Sequence, residues 1–128
     1  MKHLIIPMFF LLLAWSCSTS QKSGSSDKST SIVIDSTEYE IIIIDNEFDI
    51  WYLMNFSPGK DHSNEYYSSK NQGGIIAWND YYTRNRHHHV IENYIFYNNS
   101  TDYGIDVNRK LYWYFKYVEE TFRIRLIH

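Results

Sequence analysis

A run of four consecutive isoleucines, Ile41–Ile44, lies about a third of the way along the chain and is closed by Asp45 and Asn46. β-Branched side chains have little χ1 freedom and pack well on a pleated surface. A short apolar run without polar alternation, bounded by turn-type residues, is typical of a strand that is buried on both faces. We therefore predict a central strand at Ile41–Ile44, with a shorter strand before it at Ile32–Ile34.

Two helices are predicted between residues 45 and 84. Asp45 is a suitable N-cap for a short helix that ends at the turn Ser57-Pro58-Gly59. Asp61 or Ser63 would cap a second helix of about twenty residues that ends near Arg84. The Gly73-Gly74 pair weakens the middle of this helix, so the sequence predicts either one continuous helix or two halves.

The clearest helical pattern begins at Asp102 or Asp106, and its apolar positions continue to Leu126. Its apolar positions fall on one stripe about 120° wide, namely Val107, Leu111, Tyr114, Phe115, Val118, Phe122 and Leu126. Glu119 and Arg123 would form a favourable i,i+4 pair. Asn93–Asn98 is rich in strand formers and is predicted to pair with Ile41–Ile44 after a helical crossover. The fold class predicted is α+β, a small two- or three-stranded sheet covered by about three helices, the longest C-terminal.

The first 31 residues have a different composition from the rest. Leu4–Ala14 is an apolar run that is too short to span a bilayer and fits the apolar region of a signal peptide. Ser18–Ser31 contains no apolar side chain, which predicts a flexible tether that reaches roughly 20 Å. We divide the chain into a signal peptide at 1–16, a lipidated Cys17 with its tether at 17–31, and one globular domain at 32–128.

Leu13-Ala14-Trp15-Ser16-Cys17 resembles a bacterial lipobox, and Cys17 is the single cysteine of the chain. The resemblance implies cleavage before Cys17 and lipid on its thiol and new amino group. Asp35-Ser36-Thr37 looks like the O-glycosylation motif of exported Bacteroidetes proteins, with Ser36 as the acceptor. An ordinary turn is the alternative for these three residues.

The net charge of the chain argues against nucleic acid as a partner. The net charge is −3, and loss of residues 1–16 would remove only Lys2 and leave −4. No basic field is present to attract nucleic acid. The 4 Trp, 12 Tyr and 7 Phe favour an aromatic-rich core over disorder.

Three segments together resemble an uncharacterised family of small Bacteroidetes lipoproteins, a domain of unknown function. The segments are Asp35–Asp45 with Phe48, Asp49 and Trp51; Trp78-Asn79; and Asp102-Tyr103-Gly104 with Val107-Asn108, Leu111-Tyr112, Tyr114 and Phe115. The resemblance covers nearly all of residues 32–122 and implies a secreted, lipid-anchored α+β domain, without any activity or catalytic residue. The sequence departs from the family at Gln72-Gly73-Gly74 and at Arg86–Val90.

Candidate chemistry is sparse. His87 and His89 would share a face and bind a metal only if their segment is extended, and a solvated polar loop is the alternative. No nucleophile elbow, phosphate loop or dinucleotide motif is present, so no catalytic residue and no cofactor is predicted. Asn79, Asp102 and Asn108 are the candidate binding residues, beside which an aromatic-lined groove would have to lie.

The sequence thus predicts an exported lipoprotein anchored in the outer membrane and facing the periplasm. Its domain would bind or scaffold another envelope component, a protein or a glycan. The alternative is a small envelope enzyme or glycan-binding module. An exposed aromatic groove would favour this alternative, whereas a flat patch of Tyr or Trp would favour a protein partner.

Overall fold

The computed structural model describes residues 29–35 and 38–127, with side-chain environments from Ile41 onward. Within these residues the fold is mixed and helix-dominated. Its elements are β1 (Ser29–Asp35), β2 (Glu38–Ile44), α1 (Asn46–Asn55), a 3₁₀ turn (Pro58–Lys60), α2 (Asn64–Thr83) and α3 (Ile105–Phe122). The prediction that the C-terminal helix is the longest is wrong, because α2 has 20 residues and α3 has 18.

Strands β1 and β2 form an antiparallel pair in which Ser29 lies opposite Ile44. Along β2, Ile41 and Ile43 are buried, whereas Ile42 is 38% exposed and Ile44 is 54% exposed. The prediction of a strand buried on both faces is therefore wrong. One face of β2 packs on the helices and the other is open, because successive side chains of a strand point to opposite sides.

The predicted starts of the first two helices are confirmed. The Asp45 carboxylate accepts hydrogen bonds from the backbone N–H groups of Glu47 at 3.1 Å and Phe48 at 3.3 Å, which caps α1. The Ser63 hydroxyl accepts from the N–H of Tyr66 at 3.2 Å and caps α2. These caps satisfy donors that a helix cannot pair internally.

Helix α3 ends earlier than its apolar stripe predicted. Arg123 takes a left-handed conformation with φ of 58° and closes the helix after Phe122. The Glu119 carboxylate then accepts from the backbone N–H groups of Leu126 at 2.8 Å and Ile127 at 2.7 Å. Leu126 is buried, but it reaches the core from an extended tail rather than from the helix. Glu119 thus holds this tail, and its nearest cation is the Lys116 ammonium at 4.0 Å rather than Arg123.

Helices α2 and α3 approach closely at Gly74. A Cβ atom at this position would lie 2.5 Å from Cδ2 of Phe115 and 2.9 Å from Cγ2 of Ile127. A Cβ atom at Gly73 would meet nothing within 4 Å. Helix α2 is nevertheless one continuous helix, Asn64–Thr83, so the glycine pair does not divide it. Gly74 lets the ring of Phe115 lie against the α2 backbone.

The predicted strand at Asn93–Asn98 is also corrected. These residues form no strand and do not pair with β2. They run over α2 with Ile95 buried and with Tyr94 and Phe96 exposed. This alternation is that of an extended chain, but its main partner is a side chain of α2 rather than another strand.

Candidate functional site

Two neighbouring side chains of α2, Trp78 and Asn79, hold the 93–98 segment in place. The indole N–H of Trp78 donates to the carbonyl of Asn93 at 2.7 Å. The Asn79 amide donates to the carbonyl of Ile95 at 2.9 Å and accepts from the N–H of Ile95 at 2.8 Å. The Asn79 side chain thus forms with the Ile95 backbone the same pair of N–H to C=O hydrogen bonds that two opposite residues of antiparallel strands form. This clamp keeps Ile95 in the core and turns the flanking aromatic side chains outward.

The outward side chains border a groove between α2 and the 93–98 segment, which we call the aromatic groove. Its volume is about 790 Å³. Phe96 is 83% exposed, Ile76 is 70% exposed, and the rings of Tyr94 and Phe96 have centroids 4.9 Å apart. The lining consists of Gln72, Ile75, Ile76, Asn79, Asp80, Thr83, Tyr94, Ile95, Phe96, Tyr97, Asn98, Asn99 and Tyr103.

A second groove, the polar groove, has a volume of about 450 Å³ and shares Gln72 and Asn99 with the first. It is lined by Asn64, Glu65, Ser68, Ser69, Gln72, Asn99, Ser100, Thr101, Asp102 and Asn108. The described lining of the two grooves contains carboxylates at Glu65, Asp80 and Asp102 but no Lys or Arg. Together they form a two-part cleft over α2 whose lining carries carboxylates, and the nearby Arg84 guanidinium pairs with the carboxylate of Asp80 at 2.9 Å.

The structure divides the three predicted binding residues between the two grooves. Asn79 lines the aromatic groove, and Asp102 and Asn108 line the polar groove. The Asp102 carboxylate accepts from the N–H of Gly104 at 3.0 Å and from the amide of Asn64 at 3.3 Å. It therefore shapes the turn that leads into α3.

Asn108 is 2% exposed, and it forms hydrogen bonds with three residues around the polar groove. Its amide donates to Asn64 at 2.8 Å and accepts from the hydroxyl of Tyr97 at 2.9 Å. Its backbone carbonyl accepts from the amide of Asn71 at 2.8 Å. Burial raises the pKa of the Tyr97 hydroxyl above its ordinary value. Asn108 therefore acts mainly as a positioning residue for the polar groove.

The groups best placed to meet a ligand were not recognised from the sequence. The sequence predicts a paired strand at Asn93–Asn98, which includes Tyr94 and Phe96, and Gln72 lies at a point where the sequence departs from the family. The structure records no hydrogen bond from the side chains of Gln72 or Asn99 to another described residue, so both amides are available where the grooves meet. Residues 94–97 are all apolar or aromatic, so the sequence carries no alternation that would have shown which two rings point outward.

The histidine run does not adopt the extended form that a shared metal site requires. His87 has φ of 55°, and its carbonyl accepts from the N–H groups of Val90 and Ile91 at 2.9 Å, which makes a turn. The ring centroids of His87 and His89 are 6.4 Å apart. Among the described residues, no group of three or more His, Cys, Asp or Glu side chains is placed to hold a metal ion.

A charged cluster fixes the chain between α1 and α2 to α3. The Arg109 guanidinium donates two bonds to the Asp61 carboxylate, at 2.9 and 2.8 Å, and a third to Asp106 at 2.8 Å. The Tyr67 hydroxyl also donates to Asp61, at 2.6 Å. Arg109 foremost, and Tyr67 after it, hold the pKa of Asp61 far below its ordinary value of 3.8. This cluster stabilises the fold and lies in neither groove.

Fold and grooves together define a small helix-dominated domain with an exposed two-part cleft. The chain belongs to the family of unknown function DUF6146, whose model matches residues 3–128. No curated protein and no solved structure matches it. None of the described helices has the length and apolarity needed to cross a bilayer. Cys17 and Ser36 lie outside the described residues.

Proposed function

We propose that this chain is an exported, lipid-anchored protein of the bacterial cell envelope whose domain binds another envelope component in the cleft over α2. The observation that carries the binding role is the aromatic groove. Phe96 is 83% exposed, yet its segment is fixed to α2 by the paired bonds between Asn79 and Ile95. A rigidly presented apolar surface is typical of an interaction site.

The anchor is supported by the sequence before the domain. Leu4–Ala14 fits the apolar region of a signal peptide, and Leu13–Cys17 resembles a lipobox. One acyl chain holds a protein weakly, whereas two or three chains make the attachment effectively permanent. Ser18–Ser31 lacks the acidic run that, in some Bacteroidetes lipoproteins resembling this one, follows the cysteine and is associated with display on the cell surface. We therefore place the domain on the periplasmic side of the outer membrane.

The intact mass of the membrane-extracted protein tests the anchor. The mature chain should begin at Cys17 and carry the mass of its acyl groups. A Cys17→Ser variant should leave the membrane fraction or keep its signal peptide. A mature N-terminus at any other residue would exclude lipidation at this site.

An envelope protein is the first candidate for the bound component. Three exposed side chains at the aromatic groove, Ile76, Tyr94 and Phe96, provide the apolar and aromatic surface that is enriched in the cores of protein interfaces. Aromatic anchors of this kind account for most of the binding energy in many complexes.

A neutral glycan is the second candidate, and the composition of the cleft favours it. The aromatic rings offer faces on which the C–H groups of a sugar ring pack, and the amides of Gln72 and Asn99 offer hydrogen bonds to hydroxyl groups. The absence of Lys and Arg from the described lining argues against phosphorylated or sulfated sugars.

Thermal unfolding in the presence of neutral oligosaccharides of three to six sugars tests the glycan candidate. A bound ligand at ten times its dissociation constant stabilises the folded state by about 1.4 kcal/mol. That corresponds to a rise of roughly 6–11 °C in melting temperature for a domain of this size. Phe96→Ala should abolish the rise without lowering the melting temperature of the free protein, because the side chain is exposed. No rise with any oligosaccharide would reject the glycan candidate.

A further inference from the structure

Helix α1 carries large apolar side chains on the face turned away from the core. Ile50 is 62% exposed, Leu53 is 81% exposed and Met54 is 80% exposed. Their i, i+3, i+4 spacing places them on one side of the helix, and we call them the α1 stripe. Phe48, on the inner face, is fully buried. A helix that is apolar on both sides is normally covered on both sides.

The register of the strands shows where the N-terminal part of the chain joins the domain. Ser29, the first described residue, pairs with Ile44. Ile44 directly precedes Asp45, the N-cap of α1, and is itself 54% exposed. Ser29, where the described part of the chain begins, therefore lies beside the start of α1.

The length of that connection limits the distance between the domain and its anchor. Eleven residues lie between Cys17 and Ser29, and a coil of this length would span roughly 20 Å. A domain of about 100 residues has a radius of gyration of about 13 Å. The start of α1 is thus held about one domain width from the lipid at Cys17.

We propose that the α1 stripe inserts into the interfacial region of the membrane that holds the anchor, as a second contact that orients the domain. This proposal rests on the lipid anchor at Cys17 proposed above. Apolar side chains on one face of a helix suit the boundary between headgroups and acyl chains. Glu47 and Asp49 lie in the first turn of α1, so the contact is with zwitterionic rather than anionic lipid.

The test uses the lipidated, full-length mature protein in phosphatidylcholine vesicles. With Cys17 occupied by lipid, Leu53→Cys and Phe96→Cys each provide a single thiol for a fluorescent label. The two native side chains are matched in exposure, at 81% and 83%. Vesicles that contain spin-labelled lipid should quench the label at position 53 several-fold more than the label at position 96. Adding Ile50→Ser and Met54→Ser to Leu53→Cys should reduce that difference.

The outcomes separate this proposal from the anchor. Flotation of the protein with the vesicles establishes the anchor. Flotation with equal lipid quenching at positions 53 and 96 overturns the membrane contact alone. A label at position 53 that is shielded from water but not quenched by lipid also overturns it, because a second copy or another segment of this chain would then cover the stripe. Failure to float overturns the anchor and this proposal together.

Discussion

Gly74→Ala tests the packing of α2 on α3, and Gly73→Ala is its matched control. Both glycines lie within α2, where alanine is favoured over glycine by about 1 kcal/mol. The two positions differ in what the added methyl group meets. At Gly73 it meets nothing within 4 Å, whereas at Gly74 it lies 2.5 and 2.6 Å from two ring carbons of Phe115.

The expected effects follow from that difference. Phe115 is fully buried, so its ring has to move by about 1 Å within a packed core to restore an ordinary contact. Overpacking of this kind costs about 1–3 kcal/mol. Gly73→Ala, which gains only the helix propensity, should raise the melting temperature by about 4–8 °C. In Gly74→Ala the same gain of about 1 kcal/mol offsets part of the overpacking cost, so the net loss is about 0–2 kcal/mol and the melting temperature should stay unchanged or fall by up to about 16 °C. Thermal unfolding followed by circular dichroism measures both.

A double-mutant cycle identifies the cause of any loss. Phe115→Leu removes the ring, so Gly74→Ala should cost far less in that background, with a coupling free energy of about 0.5–3 kcal/mol. If Gly74→Ala stabilises the protein as much as Gly73→Ala does, the close approach of α2 and α3 at this position is wrong.

Three further predictions concern the core, the charged cluster and the clamp. Phe115→Ala should cost about 2–5 kcal/mol and lower the melting temperature by about 10 °C or more, whereas the half-exposed Lys116→Ala should change it little; equal effects would refute the helical phase of α3. Because the pKa of Asp61 is depressed in the folded state, its contribution to stability is present above about pH 3.8 and is lost as the pH falls below that value; acid titrations of the unfolding free energy should show a shallower acid limb for Asp61→Asn, and an unchanged limb would refute the ion pair. Asn79→Ala should accelerate hydrogen exchange of the Ile95 amide, and an unaltered rate would show that the side chain does not hold this segment.

The starts of α1 and α2 could be predicted because their signals are local, whereas α3 begins after Gly104 and not at Asp102 or Asp106. Asp45 and Ser63 cap the helices that follow them, as their side chains and positions indicated. The buried face of α3 was also predictable, since Leu111, Phe115 and Val118 recur with the helical period. In each case the residues that make the pattern are the residues that make the contact.

The errors concern contacts between residues distant in sequence. A run of four isoleucines reads the same in the sequence whether one face of β2 is buried or both are. Only the position of α3 determines how many faces are buried. Asn93–Asn98 has the residues of a strand, but the long-range bonds of Ile95 go to the Asn79 side chain. The periodicity of the sequence does not show that an asparagine side chain will form the backbone hydrogen bonds that a neighbouring strand would otherwise form. The aromatic groove could not be foreseen for the same reason.

Site-specific photo-crosslinking in cells tests the central claim, that the cleft over α2 binds an envelope component. A photoreactive amino acid replaces Phe96 in one variant and Glu120, an exposed residue of α3 outside both grooves, in the other. Illumination followed by intact mass analysis should give a discrete adduct, protein or glycan, from position 96 and not from position 120. Adding Ile76→Arg should remove that adduct. The same adducts from both positions, or none from position 96, would contradict the account.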